Sequence, residues 1–239
     1  MSYLIVSCLG LLFLLIAVLP YCQQKKRQLR VRRWQHSLNL PQHLVVFNQL
    51  YHNVNGFLLS EQTRQQQGNS IDYVYGEIEF IPFIALLSLV NWDEETVFYD
   101  LGSGTGKAVF ACAMVYPARH YVGVELFPAL HDTACNLIKQ LAAKKNYRHT
   151  ATKIAFILGD FFAVDLNEAT LIFINATALF GESWEKISGR MDNIPYLNTV
   201  ITTSKPLLST KFYPILTTKV AMSWGVVVAY IHRRKTNLD

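Results

Sequence analysis

Three glycines, Gly102, Gly104 and Gly106, follow directly on an apolar run that ends in Asp100, in the stretch FYDLGSGTGKAVF. Glycine reaches positive φ and carries no Cβ, so a ligand can lie against the bare main chain. Two further acids close later apolar runs: Glu125 in YVGVEL and Asp160 in LGDFF, with Phe161 beside it. A glycine loop between a strand and a helix is where open α/β sheets hold nucleoside cofactors. A carboxylate at the end of the second strand can accept hydrogen bonds from both ribose hydroxyls. One after the third strand can accept the exocyclic amine of adenine, and an adjoining aromatic ring can pack on the base.

Two cofactor classes compete for such a loop. A nicotinamide dinucleotide brings a pyrophosphate, which calls for G-x-G-x-x-G and no carboxylate facing it. Here the third glycine comes one residue early, and Asp100 would repel phosphate. S-adenosylmethionine has no phosphate, and its sulfonium and ammonium groups suit an acidic strand end. Charge complementarity therefore selects S-adenosylmethionine, with Asp100, Gly102, Ser103, Gly104, Gly106, Glu125, Asp160 and Phe161 as expected cofactor-binding residues.

The elements that must position these residues alternate along the chain. TVFYDLG, HYVGVEL, KIAFILGDFF, TLIFINAT and NTVITTSKP read as strands, and KVAMSWGVVVAYIHRR closes the chain as β-rich. Helical patterns cover 107–116, 128–145 and 183–193. Strands alternating with helices imply a parallel sheet with right-handed crossovers. Upstream, Leu40, Leu44, Phe47, Leu50, Tyr51, Val54 and Leu58 recur at three- and four-residue steps, so residues 34–67 read as helical. The Gln-rich EQTRQQQGNS reads as a loop, and a further helix is expected over 82–90.

The chain has 239 residues, 51% hydrophobic and 16% charged, which excludes a disordered polypeptide. Residues 1–24 carry no charged side chain, and Tyr3 to Pro20 as a helix would span about 27 Å. The flanks do not suit a cleaved signal peptide, so a retained transmembrane anchor is expected. KKRQLRVRR follows it with six basic residues, which predicts lipid contact and a catalytic part on the cytoplasmic or equivalent side. The remainder of the chain holds 16 basic and 17 acidic residues, so nucleic acid is not an expected partner of the catalytic part. Cys8, Cys22, Cys112 and Cys135 show no metal-ligand spacing, and no metal is expected. The expected organisation is an anchor at 1–24, a basic juxtamembrane and helical lead-in at 25–72, and a catalytic domain at 73–235.

The run from Tyr73 to His232 resembles the Dot family of non-SET protein-lysine methyltransferases. VYGEIEF is similar to that family's loop before the sheet, DLGSGTGKAV to its glycine loop, GDFF to its adenine strand and IFINATALFG to its fourth strand. TTSKPL and SW…AYIH complete the likeness. The resemblance implies a Rossmann-like class I methyltransferase with a seven-stranded, mostly parallel sheet and flanking helices. It further implies that Tyr75 and Glu77 join the cofactor set, that Asn175 meets the acceptor amine, and that Trp224 walls a lysine channel. The implied function is membrane-tethered lysine methylation of a protein substrate. The alternatives are a methyltransferase of a membrane protein or small molecule, and a non-catalytic cofactor-binding module. The chain departs from the family where Ala176 follows Asn175 and where Ala229-Tyr230 precedes Ile231-His232. A looser likeness links it to small lysine methyltransferases of the mitochondrial inner membrane. His232, in a basic tail, is expected to be solvated.

Overall fold

The computed structural model describes residues 19–67 and 75–235, with side chains except at 66 and 67. The chain divides into two compact units, Met1–His43 and Leu44–Asp239. In the first, helix α1 covers Leu19–Ser37 and buries none of its side chains. Helix α2 covers Leu40–Tyr51.

The expected transmembrane anchor is corrected. Among the described residues no helix is long and apolar enough to cross a membrane. Residues 1–18, on which most of the apolar run falls, lie outside the described residues. What is described, Leu19 onward, continues as one helix into the six basic residues of KKRQLRVRR. Charged side chains at the middle of a span would cost about 2.5–3.5 kcal/mol each, so α1 does not serve as one. Membrane tethering, lipid as a partner and a single-pass location are withdrawn with it.

The helical lead-in is interrupted. Helix α3, Gly56–Gln67, begins where the Asn55 side chain accepts a hydrogen bond from the Leu58 N–H at 3.0 Å, an N-cap that separates it from α2. The glutamines read as a loop extend α3 instead, in keeping with their good helix propensity. Helix α4, Phe80–Leu87, is almost wholly apolar and buries five of its eight residues.

The sheet then begins. Strand β1 (Val97–Leu101) leads into helix α5 (Lys107–Val115), β2 (His120–Glu125) into α6 (Pro128–Ala142), and short α7 (Arg148–Thr152) into β3 (Ile154–Leu158). Strand β4 (Leu171–Ile174) is followed by α8 (Gly181–Met191), β5 (Thr199–Thr203), β6 (Phe212–Met222) and β7 (Gly225–Arg234). The seven strands lie in the order β3-β2-β1-β4-β5-β7-β6. The pairs among β1 to β5 are parallel, and β7 is antiparallel to both its neighbours. The reversal in strand order between β1 and β4 opens a crevice beyond their C-terminal ends.

Strand β1 is buried along its whole length, as a central parallel strand covered on both faces must be. Val97, Tyr99 and Leu101 point into one core with Ile172, Ile174, Val200 and, from α8, Trp184, Ile187 and Met191. Phe173 of β4 meets Phe83 of α4 edge-on at 4.9 Å between ring centroids. His232 is 1% exposed, against the expectation of a solvated side chain. Its position inside β7 pairs it with Val200 of β5, and its Nε2 accepts from the Leu207 N–H at 3.1 Å. Burial pulls its pKa down.

Candidate active site

The site is built around the end of β1. Asp100 aligns between Gly123 of β2 and Phe173 of β4 and is 4% exposed. Burial, and then the neighbouring charge of Glu125, pushes its carboxyl up to about 8. The loop that follows turns sharply, and Gly104 sits at φ +56° with the Tyr75 ring 2.7 Å from where a Cβ would stand. Only glycine satisfies both demands at once.

Glu125, at the end of β2, holds this loop in place. One carboxylate oxygen accepts the Gly104 N–H at 2.7 Å, and the other accepts the Phe127 N–H at 2.9 Å, just before α6. Burial raises its pKa, and these backbone donors oppose the rise. Asp160, after β3, is exposed at the crevice rim, and its Oδ1 accepts the Phe162 N–H at 2.8 Å.

The segment 75–77 closes over the glycine loop. The Tyr75 hydroxyl donates to Glu77 Oε1 at 2.8 Å, and Lys107 Nζ lies 2.6 Å from Glu77 Oε2. Burial and the Glu77 charge push the Tyr75 phenol well up. The Ser223 N–H donates to the Glu77 carbonyl at 3.0 Å, and the Ser223 hydroxyl accepts the Glu77 N–H at 3.1 Å. The β6–β7 turn is thus stitched to this segment. Trp224 beside it lays its ring on Gly76 so closely that a Cβ there would collide with it.

Asn175 follows β4 directly. Its Oδ1 accepts from the hydroxyls of Thr177 at 2.9 Å and Thr203 at 2.7 Å. The side-chain carbonyl, expected to orient an acceptor amine, is therefore engaged, and the Nδ2 end has no hydrogen-bond partner among the described residues. The Thr177 hydroxyl also meets that of Ser204 at 2.7 Å. Ser204 has φ +69°, a conformation unusual for a residue with a side chain. Its N–H is held by the Val228 carbonyl at 2.7 Å.

These elements enclose a cavity of about 220 Å³. Tyr75, Gly102, Glu125, Asp160, Phe161 and Asn175, all expected from the sequence, line it. A smaller recess of about 30 Å³ shares Tyr75, Gly76, Gly102 and Asn175 and adds Glu77, Asp100, Ser103 and Gly104. Two expected residues stand outside both linings. Gly106 is the residue before α5 and abuts Phe156, and Trp224 is 39% exposed. Sequence reasoning missed Ser60 of α3, Lys107, and the apolar wall of Leu126, Phe127, Leu130 and Phe162. Leu126 and Phe127 adjoin Glu125 and were readable from that proximity. Ser60 left no signal in the sequence. Among the described residues no cluster of three His, Cys, Asp or Glu side chains could hold a metal ion.

The strand order and the acid-edged glycine loop define a Rossmann-like class I methyltransferase fold. The profile of the family described as "Histone methylation protein DOT1" matches residues 59–229, which include the whole crevice, and the chain belongs to that family. It is 35% identical over 105 residues to the "Histone-lysine N-methyltransferase, H3 lysine-79 specific" of Gibberella zeae, covering 42% of this chain and 20% of that protein. It is 26% identical over 87 residues to a "Protein-lysine N-methyltransferase" of Saccharolobus islandicus, covering 36% of this chain and 50% of that one. The matched stretches thus span a fifth and a half of those curated relatives. Among solved structures, mitomycin 7-O-methyltransferase shares the fold, with a TM-score of 0.53 at 16% identity over 79% of this chain and 60% of that one.

The residues present fit S-adenosyl-L-methionine. The cavity offers an apolar wall on which a base could pack, with the Glu125 carboxylate beside it able to accept from hydroxyls, and the recess offers a buried acid for an ammonium. Lys107, which lines the recess beside the glycine loop, is paired with Glu77.

Proposed function

We propose that this chain is a protein-lysine N-methyltransferase. The observation that carries the reading is the family match across residues 59–229, joined by two relatives whose names both specify lysine as the acceptor. The catalytic domain is proposed as residues 73–235, with the helical lead-in contributing to the crevice through α3.

When bound, S-adenosylmethionine would supply an electrophilic methyl group for in-line transfer to a neutral amine, leaving S-adenosylhomocysteine. The chain's own task is then positioning, which can remove much of the entropic barrier. Glu125 is proposed to hold the ribose, Asp160 and Phe161 the base, and Asp100 with Gly102, Ser103 and Gly104 the amino-acid end. Tyr75 and Glu77 would close that end. Asn175 would stand beside the reacting nitrogen, its carboxamide fixed by the Thr177 and Thr203 hydroxyls. Trp224, resting on Gly76, would flank the path by which the acceptor arrives.

A lysine must lose its proton to react. At a reference pKa of about 10.4, only ~0.04% is neutral at pH 7. Apolar surroundings and a nearby positive charge would lower that value, so the walls of the acceptor path do part of the chemistry.

The test is transfer of a labelled methyl group from the cofactor to proteins of the native lysate, with acceptor residues located by mass spectrometry. Methyl-lysine that disappears with Asn175→Ala, while that variant still binds S-adenosylhomocysteine, is the expected result. Label found only on nucleic acid or small molecules would overturn the reading.

A further inference from the structure

Helix α3 sends a buried polar atom, the Ser60 hydroxyl oxygen, into the crevice, and none of the described residues bonds it. Ser60 is 1% exposed and lines the 220 Å³ cavity, and its Oγ has no hydrogen-bond partner among the described residues. Helical serines and threonines usually satisfy themselves on the preceding turn. Thr63, in the same helix, does so, donating to the Leu59 carbonyl at 2.9 Å. Ser60 does not. A buried hydroxyl left unpaired costs about 1–3 kcal/mol, so its retention at a cavity wall points to a ligand that completes it. Among the described residues Arg64 Nε and Ser188 Oγ are also buried without a partner but line neither cavity nor recess, whereas Ser103 Oγ, likewise unpartnered, lines the recess, so it is the orphaned state together with a place on the wall that is the signal.

The place of Ser60 narrows the ligand atom. Helix α3 packs against α6, the helix that starts three residues beyond Glu125. The cavity wall on that side is Glu125, Phe127 and Leu130, whereas Asp160 and Phe161 arrive from the end of β3. Gly56, one turn before Ser60, abuts Tyr75 and Glu77, so this face of α3 runs along the covered side of the crevice. The polar group between the base and the sulfonium is the ribose. Glu125 is an acceptor only and leaves the ribose oxygens without a donor.

We propose that Ser60 is a cofactor-binding residue whose hydroxyl donates to the 2′- or 3′-hydroxyl oxygen of the ribose, making α3 one wall of the nucleoside pocket. The proposal rests on the S-adenosylmethionine assignment. It adds a contact from outside the sheet and its crossovers, so the helical lead-in takes part in binding.

The experiment is calorimetric titration of the full chain and of Ser60→Ala with S-adenosylhomocysteine and its 2′-deoxy and 3′-deoxy ribose analogues. Thermal unfolding of both proteins without ligand runs alongside. Ser60→Ala is expected to bind S-adenosylhomocysteine about three- to tenfold more weakly, the range of one hydrogen bond. The deficit should vanish against one of the two deoxy analogues. The unliganded variant should melt at the same temperature or higher, because an unpaired buried hydroxyl has been removed. A purely structural serine gives the opposite pattern, with a lower melting temperature and unchanged affinity, and that overturns the proposal. So does a deficit that persists against both analogues. A flat titration of the unsubstituted protein sinks the cofactor assignment itself, and this result is distinct from a defect confined to the variant.

Discussion

Lys107 Nζ lies 2.6 Å from Glu77 Oε2, with the Glu77 side chain 9% exposed and that of Lys107 22%. The first residue of α5 is thereby tied to the segment that covers the glycine loop. The same lysine stands 5.2 Å over the Tyr51 ring, and the Tyr51 hydroxyl donates to the Thr105 carbonyl at 3.0 Å. One ammonium thus joins α2, the loop and segment 75–77. Lys107→Met should destabilise the protein by about 2–4 kcal/mol, because it strands a largely buried carboxylate. Adding Glu77→Gln should recover part of that loss, since the stranded charge goes. Denaturant midpoints of the four proteins in this cycle measure the coupling, and strict additivity would argue against it.

Asp100 makes cofactor affinity depend on pH. With its carboxyl raised to about 8, Asp100 is mainly protonated at neutral pH before a ligand ammonium reaches it. A ligand ammonium beside it favours the ionised form. Binding should therefore tighten as pH rises from 6 towards 8, with a proton released. Asp100→Asn should lose this slope, and the difference between the two proteins isolates the group from the ligand's own titration. Stability moves the other way. The unfolded chain gives up this proton near pH 4 and the folded chain only near 8, so the group's contribution falls as pH rises between them. Parallel pH profiles for the two proteins would contradict this account.

Glu125 carries a structural load as well as its proposed ribose contact. Glu125→Ala leaves the Gly104 and Phe127 N–H groups without their acceptor, at about 1–3 kcal/mol for each if water does not replace it. Both the melting temperature and S-adenosylhomocysteine affinity should fall. A variant that loses affinity at full stability would show that these two backbone bonds contribute little.

Gly76 and Trp224 should behave as a pair. A methyl group at Gly76 meets the Trp224 ring. Gly76→Ala should cost about 1–3 kcal/mol through overpacking. Trp224→Ala in the same chain should relieve most of it by vacating the ring's place. Unfolding midpoints of the single and double variants give the answer, and a double variant no more stable than Gly76→Ala would place the strain elsewhere.

The strands were largely readable because the signals are local. Asp100, Glu125 and Asp160 each end an apolar run, and glycines crowd where β1 gives way to α5. The resemblance supplied Tyr75, Glu77 and Asn175, which share the crevice. The misreadings have a common origin. The apolar run at 1–24 looked like a span when taken alone, yet its described end is one helix with a strongly basic sequence. The glutamines before residue 68 looked like a linker, yet they extend α3. His232 looked like part of a basic tail, yet β7 carries it between β5 and β6.

The residues themselves determined an acid at three strand ends and a backbone bare enough for a ligand to approach, because chain neighbours and side-chain chemistry suffice for that. Only the folded arrangement decided that Ser60 reaches the cavity, that Lys107 pairs with Glu77, and that Trp224 lies on Gly76 outside the lining. Each of these is a meeting between elements distant along the chain. No periodicity or spacing encodes such meetings, which arise when the helices pack on the sheet and the β6–β7 turn closes over it.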